Sequence, residues 1–279
     1  MLVDCHAHLH LADFDADRDE VRRRARAAGV AAVLVVGEDA EDDRRVGEVA
    51  ATPCAGGAAL LPCFGFHPDR FAEERPLPTR ADLDAATALI RASAGRLAAI
   101  GEVGLDYHYA KTEERRRAQA AALEELAALA RELDLPLNVH SRSAGHYTLD
   151  LLRAAGARRV LMHAFDGKAS HAARALSDGF LFSIPPSVVR SEQKQKLIRA
   201  LPLEALALES DSPVLGPDRG ARNEPANLTH ALERIARAHG ASTERVAEVT
   251  TANARRLFPR LDDALGAPAP PHDGRDQGI

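Results

Sequence analysis

Short apolar runs recur along the chain, each followed by a longer stretch in which apolar residues fall three and four apart. The runs at Leu2–His8, Ala31–Gly37, Leu60–Phe66, Leu97–Leu105, Pro136–His140, Val160–His163, Phe180–Ser183 and Ala205–Asp211 read as strands. Their unbroken apolar character suits strands covered on both faces, as in a parallel sheet. The clearest helical stretch is Thr112–Leu133, with Leu123, Leu126, Leu129, Ala130 and Leu133 on one stripe. Asp17–Ala28, Thr79–Ser93, Tyr147–Ala155, Ser170–Asp178 and Ser191–Ala200 carry weaker versions of the same period. Eight strands alternating with helices predict an α/β fold of the closed (β/α)8 TIM-barrel type. The alternative, an open doubly wound sheet, would want a Gly-rich phosphate loop after the first strand, and none follows it. Two further helices are expected near Asn227–His239 and Thr243–Leu257. One domain over residues 1–265 is therefore expected, with 266–279, rich in Pro, Gly and Ala and without period, as a disordered tail.

Composition narrows the function classes. Of 279 residues 46% are hydrophobic and 28% charged, ordinary for a globular chain. The net charge of −5 supplies no general basic field, so any polyanion must be held locally by metal ions and a few placed arginines. Basic charge is nearly all Arg; the lysines are Lys111, Lys168, Lys194 and Lys196. Cys5, Cys54 and Cys63 are too few and scattered for a disulfide framework, which fits a reducing compartment, the cytoplasm with access to the nucleus. No apolar run reaches the ~18 residues of a membrane span, and the first motif opens at Val3, which leaves no room for a signal peptide. No obligate protein partner is indicated.

Candidate chemistry gathers at strand ends. In VDCHAHLH, His6 and His8 are two apart and share a strand face, which at the C-terminal end of a barrel's first strand lines the mouth. Strand four carries Glu102, strands five and six end on His140 and His163, and strand eight ends on Asp211. A lone His would read as a packed polar group, but a set of this size would be costly to bury without a metal. It exceeds what one tetrahedral ion with an open position uses. Two divalent ions about 3.5–4 Å apart fit better. Glu102 would bridge them, with His6, His8 and Asp211 completing one ion and His140 and His163 the other. Zinc, manganese and magnesium are all candidates; imidazole-rich ligation favours zinc, manganese or iron over an all-oxygen magnesium site. His10 falls past the strand end and is not read as a ligand.

VDCHAH, GFHP, IGEVGLDY, NVHSRSAG, MHAFDG, FSIPPS, ESDSP and RNEP follow one another over about residues 3–225. In this order the chain resembles the TatD-related hydrolases, among the amidohydrolase-like metal-dependent barrels. Its wording is most similar to the group of animal TatD domain-containing protein three. The resemblance implies a metal-dependent deoxyribonuclease that trims DNA from the 3′ end, single strands included. It carries His6, His8, Glu102, His140, His163 and Asp211 over as metal ligands. Two departures touch substrate preference: Asp69 follows Pro68 where many members have a second His, and HAFDG replaces the common HCFSG.

The expected mechanism is attack by a water that both ions activate, with Asp211 orienting it and taking its proton. His67 is either a contact to the scissile phosphate or a plain structural histidine. Asp106 either positions a 3′-hydroxyl or caps the next helix. Arg142 and Arg222 are candidate phosphate clamps, or solvated loop arginines. The RSEQKQK stretch from Arg190 reads as a solvated helix start, and Asp4 and Glu209 as supports one layer below the ligands. Two rival functions remain. A carbonyl-directed hydrolase of lactones, cyclic amides or aminoacyl esters on RNA would need the same ions, although its typical bridge is a modified lysine rather than a glutamate. A non-catalytic scaffold would have no use for the donors.

Overall fold

The computed structural model describes residues 1–266; the remainder of the expected tail lies outside them. Eight parallel strands run in chain order around a nearly closed barrel: β1 (Leu2–Ala7), β2 (Val30–Val36), β3 (Ala59–Phe66), β4 (Ala99–Gly104), β5 (Leu137–His140), β6 (Val160–Met162), β7 (Leu181–Ile184) and β8 (Leu206–Leu208). Asp211 N donates to His6 O and His8 N to Ser212 O, so the last strand's exit is tied to the first. Between the strands lie α1 (Arg18–Ala27), α2 (Ala40–Ala51), α3 (Arg80–Ser93), α4 (Glu113–Glu132), α5 (Gly145–Ala154), α6 (Ala169–Arg174) and α7 (Glu192–Ala200). They are followed by α8 (Leu228–His239), α9 (Thr243–Leu257) and α10 (Arg260–Leu265).

The strands are nearly all buried, as their apolar runs require. Two elements were not expected. α2 has only Val46 and Val49 as large apolar anchors in an acidic sequence, yet Asp39 caps it by accepting from Glu41 N and Asp42 N. α10 continues the helical tail, and Leu257, Phe258 and Leu261 join one apolar cluster with Val3, Leu34 and Leu61 of the first three strands. Strand and helix limits otherwise move by a few residues. The largest change is β8, which ends at Leu208 rather than Asp211, because Asp211 takes φ +54° and leaves the strand direction.

Candidate metal centre

The mouth of the barrel is built by bends at the strand ends. The β1–β2 register slips between Asp4 and Ala7, a bulge that turns both His6 and His8 toward the axis. Asp4 stabilises it by accepting from His6 N at 3.2 Å and Ser210 N at 2.8 Å; burial raises its pKa to about 7. β3 and β4 close around Glu102 so tightly that a Cβ on Gly65 would lie 2.3 Å from Glu102 O. Asp211 sits in the left-handed region, which Asp tolerates better than most residues.

These bends bring all the expected ligands together. Among the described residues four tripods have donor atoms within 4.8 Å of one another: His6–His8–Asp211, His6–Glu102–His163, His67–Glu102–His140 and, beside them, Glu38–His67–Asp69. His6 Nε2 is 3.3 Å from Glu102 Oε2 and 3.6 Å from Asp211 Oδ1; His8 Nε2 stands at 3.4 and 3.7 Å from the same atoms. Glu102 joins two of the tripods, as a bridging carboxylate must. His140 and His163 both face Glu102 Oε1, at 2.8 and 3.5 Å, with ring centroids 5.8 Å apart, whereas His6 and His8 face Oε2. His163 also stacks on His6 with ring centroids 3.6 Å apart, and His140 stands beside His67 at 4.7 Å.

The polar groups behind the rings set their tautomers. Asn138 Nδ2 donates to Cys5 O, so its Oδ1 accepts, and His6 Nδ1 must donate to it at 2.9 Å. The lone pair of His6 is therefore on Nε2, facing the carboxylates. Glu209 accepts from Ala164 N and Ser183 Oγ and also from His163 Nδ1 at 3.0 Å, which leaves the lone pair of His163 on Nε2, 3.5 Å from Glu102 Oε1. His140 stands between two carboxylates, its Nε2 3.0 Å from Asp106 Oδ2 and its Nδ1 2.8 Å from Glu102 Oε1, and both raise its pKa against its burial. The lone pairs of His6 and His163 thus aim at one carboxylate. Only extra protons or a cation between them stabilise that arrangement. Without a cation, burial opposes charge on His6, but Glu102 and Asp211 outweigh it and raise its pKa to about 10. The same rings hold Glu102 well below the usual carboxylate range against its desolvation. The donor set fits divalent ions with imidazole and carboxylate ligands.

The supporting residues divide. His67 Nδ1 accepts from Asp69 N at 3.1 Å, whereas Asp69 Oδ1, equally near, makes no hydrogen bond. The proton is then on Nε2, 3.1 Å from Glu102 Oε1, which makes His67 a donor at the site. Asp106 is spent on the protein itself: Oδ1 accepts from His108 N and Tyr109 N, and Oδ2 faces His140. It thus caps the turn at His108 and Tyr109 rather than the next helix, α4, whose N-cap position is Thr112. Arg142 is exposed at the mouth. Arg222 is engaged elsewhere, donating to both oxygens of Asp17 at 2.8 and 2.6 Å and lying 4.9 Å over the Phe14 ring, which corrects its reading as a clamp. Lys194 corrects the solvated helix start: it is buried, and its Nζ donates to Ala164 O and Phe165 O. Asn138 was overlooked; its signal was a polar residue two before His140 in an otherwise apolar strand. His10 pairs with Asp42 at 2.8 Å, apart from the tripods.

A parallel barrel with this donor set at its C-terminal mouth is the architecture of a metal-dependent hydrolase. The chain belongs to the TatD related DNase family, whose profile matches residues 3–259. It is 46% identical over 268 residues to "Deoxyribonuclease TATDN3" of Homo sapiens, covering 95% of this chain and 97% of that protein. To the "Uncharacterized metal-dependent hydrolase YabD" of Bacillus subtilis it is 33% identical over 266 residues, covering 92% and 99%. Among solved structures, the TatD homologue YJJV of Escherichia coli superposes with a TM-score of 0.83 at 24% identity, over 92% of this chain and 98% of that one. Among the described residues no helix is long and apolar enough to cross a membrane.

Proposed function

We propose that this metal-dependent hydrolase is a phosphodiesterase that removes nucleotides from the 3′ end of DNA, and that Glu102 with His6, His8, His140, His163 and Asp211 would hold its two divalent ions. The observation that carries it is the convergence of the His6, His140 and His163 rings on Glu102, each braced from behind by Asn138, Asp106 or Glu209. The DNA substrate is brought from the deoxyribonuclease relative. Divalent ions held there would lower the pKa of a water and neutralise the phosphate oxygens. Asp211, 3.6 and 3.7 Å from His6 and His8, orients that water and takes its proton. His67 Nε2–H donates to a phosphate oxygen as negative charge grows on it. Arg142 grips a neighbouring phosphate as a bidentate fork. Buried, free Cys5 and Cys63 fit a reducing compartment, the cytoplasm or nucleus.

The test is elemental analysis with a 3′-labelled oligonucleotide assay, run beside lactone and ester substrates. Wild type is expected to hold close to two ions per chain and to shorten DNA from its 3′ end. Glu102→Ala should lose both ions and at least ~10²–10³-fold in turnover, the scale seen when one transition-state contact is lost. Wild type without bound metal, or a variant that cleaves equally well, would overturn the reading. Faster turnover of the carbonyl substrates would replace the phosphodiesterase with the rival hydrolase.

A further inference from the structure

All three tyrosines of this tryptophan-free chain lie in one patch of the mouth: Tyr107 and Tyr109 in the loop after β4, and Tyr147 at the start of α5. The Tyr107 and Tyr147 rings are 5.3 Å apart, and His146 lies 3.8 Å from Tyr147. Arg116 stands 4.5 Å over Tyr107 and Arg142 5.2 Å over Tyr109. Tyr147 is 51% exposed and Tyr109 38%. Apart from Met1, the other exposed large hydrophobic side chains among the described residues are Val189 and Val214, in the loops after β7 and β8. Exposed apolar area is thus concentrated on the face that holds the donors, where it is unfavourable in water unless something covers it.

The patch is continuous with the metal centre. Asp106, which faces His140, accepts from the backbone of His108 and Tyr109; Tyr107 N donates to Arg142 O, and Gln119 braces the loop through Asp106 N and Pro68 O. The loop is therefore ordered before any ligand arrives. Flat rings interleaved with guanidinium groups are the chemistry that holds unpaired bases, the ring stacking on a base and the arginine meeting the phosphate beside it. A duplex offers no free base faces except at its ends. With a net charge of −5, long-range attraction gives little help, so short-range contacts must supply the grip. We propose that Tyr109 and Tyr147, with Arg142 between the loops, form a stacking platform for the unpaired nucleotides that flank the phosphate at the metal centre. The proposal rests on the phosphodiesterase reading above.

Fluorescence anisotropy with a dye-labelled phosphorothioate oligothymidylate, which resists cleavage, reads the platform apart from turnover. Tyr109→Ala and Tyr147→Ala should each weaken binding about tenfold. Tyr109→Phe and Tyr147→Phe should bind as wild type, because the ring and not the hydroxyl stacks. Abasic sites in place of the stacked thymidines should erase the difference between wild type and the alanine variants. Melting temperature and metal content of the variants check that the fold is intact. Undiminished binding in both alanine variants, or an equal loss on a fully paired duplex, overturns the platform. Tyrosine-dependent binding without DNA hydrolysis would sink the phosphodiesterase reading instead; hydrolysis with tyrosine-independent binding would sink the platform alone.

Discussion

Glu209→Gln separates a metal centre from a merely polar pocket, because the change is nearly isosteric and touches no substrate. Glu209 meets donors only: Ala164 N–H on Oε1, and His163 Nδ1–H with Ser183 O–H on Oε2. A glutamine amide offers one oxygen and one NH2. If the oxygen stays with Ala164, the NH2 confronts His163 Nδ1, which escapes the clash by moving its proton to Nε2. The lone pair then leaves the metal. If the amide flips, its NH2 faces the Ala164 N–H, and a buried donor loses its partner at ~1–3 kcal/mol. Groups that orient metal-bound histidines change metal affinity by ~10–100-fold when altered, about 1.4–2.8 kcal/mol. The variant takes one of the two orientations, so either a drop of about 10–100-fold in affinity or about 1–3 kcal/mol less stability is expected. Competition with a chelator reads the affinity and urea unfolding of the chelated protein reads the stability. Unchanged metal affinity together with unchanged stability in the folded variant would refute the assignment of the His163 tautomer.

Metal uptake should release protons. In the metal-free protein the raised pKa of His6, about 10 against 6.5, means that its proton stabilises the fold fully below pH 6.5, and this support is lost as pH rises through about 10. An ion must displace that proton, so affinity should climb with pH between those values; binding heats that do not vary between buffers of different ionisation enthalpy would exclude it. Arg142 and Arg222 should behave oppositely. Arg142→Ala should raise KM for DNA about tenfold, the scale of one charge-assisted hydrogen bond. Arg222→Ala should leave KM unchanged and cost roughly 0.5–1 kcal/mol of stability, since its partner Asp17 is a half-exposed carboxylate. Equal KM effects in oligonucleotide kinetics would contradict the geometry.

The amino-acid sequence alone determined the barrel and its donors. Strand and helix periods are local, and a closed parallel sheet is the economical way to cover eight strands that are apolar throughout. Side-chain identity at a strand's C-terminal end then places His6, His8, Glu102, His140, His163 and Asp211 at one mouth. α2 escaped because two valines in an acidic segment make too weak a stripe. What only the tertiary structure decided depends on distances between residues far apart in the chain. Asp17 and Arg222 meet across 205 positions and remove that arginine from the mouth. Lys194, in a segment that reads as solvated, is buried because the loop after β6 folds over it and offers two carbonyls. Which imidazole faces which carboxylate, and through which nitrogen, follows from Asn138, Asp106 and Glu209 behind the rings. Periodicity places side chains on faces; it carries no information about the angle at which two of them meet.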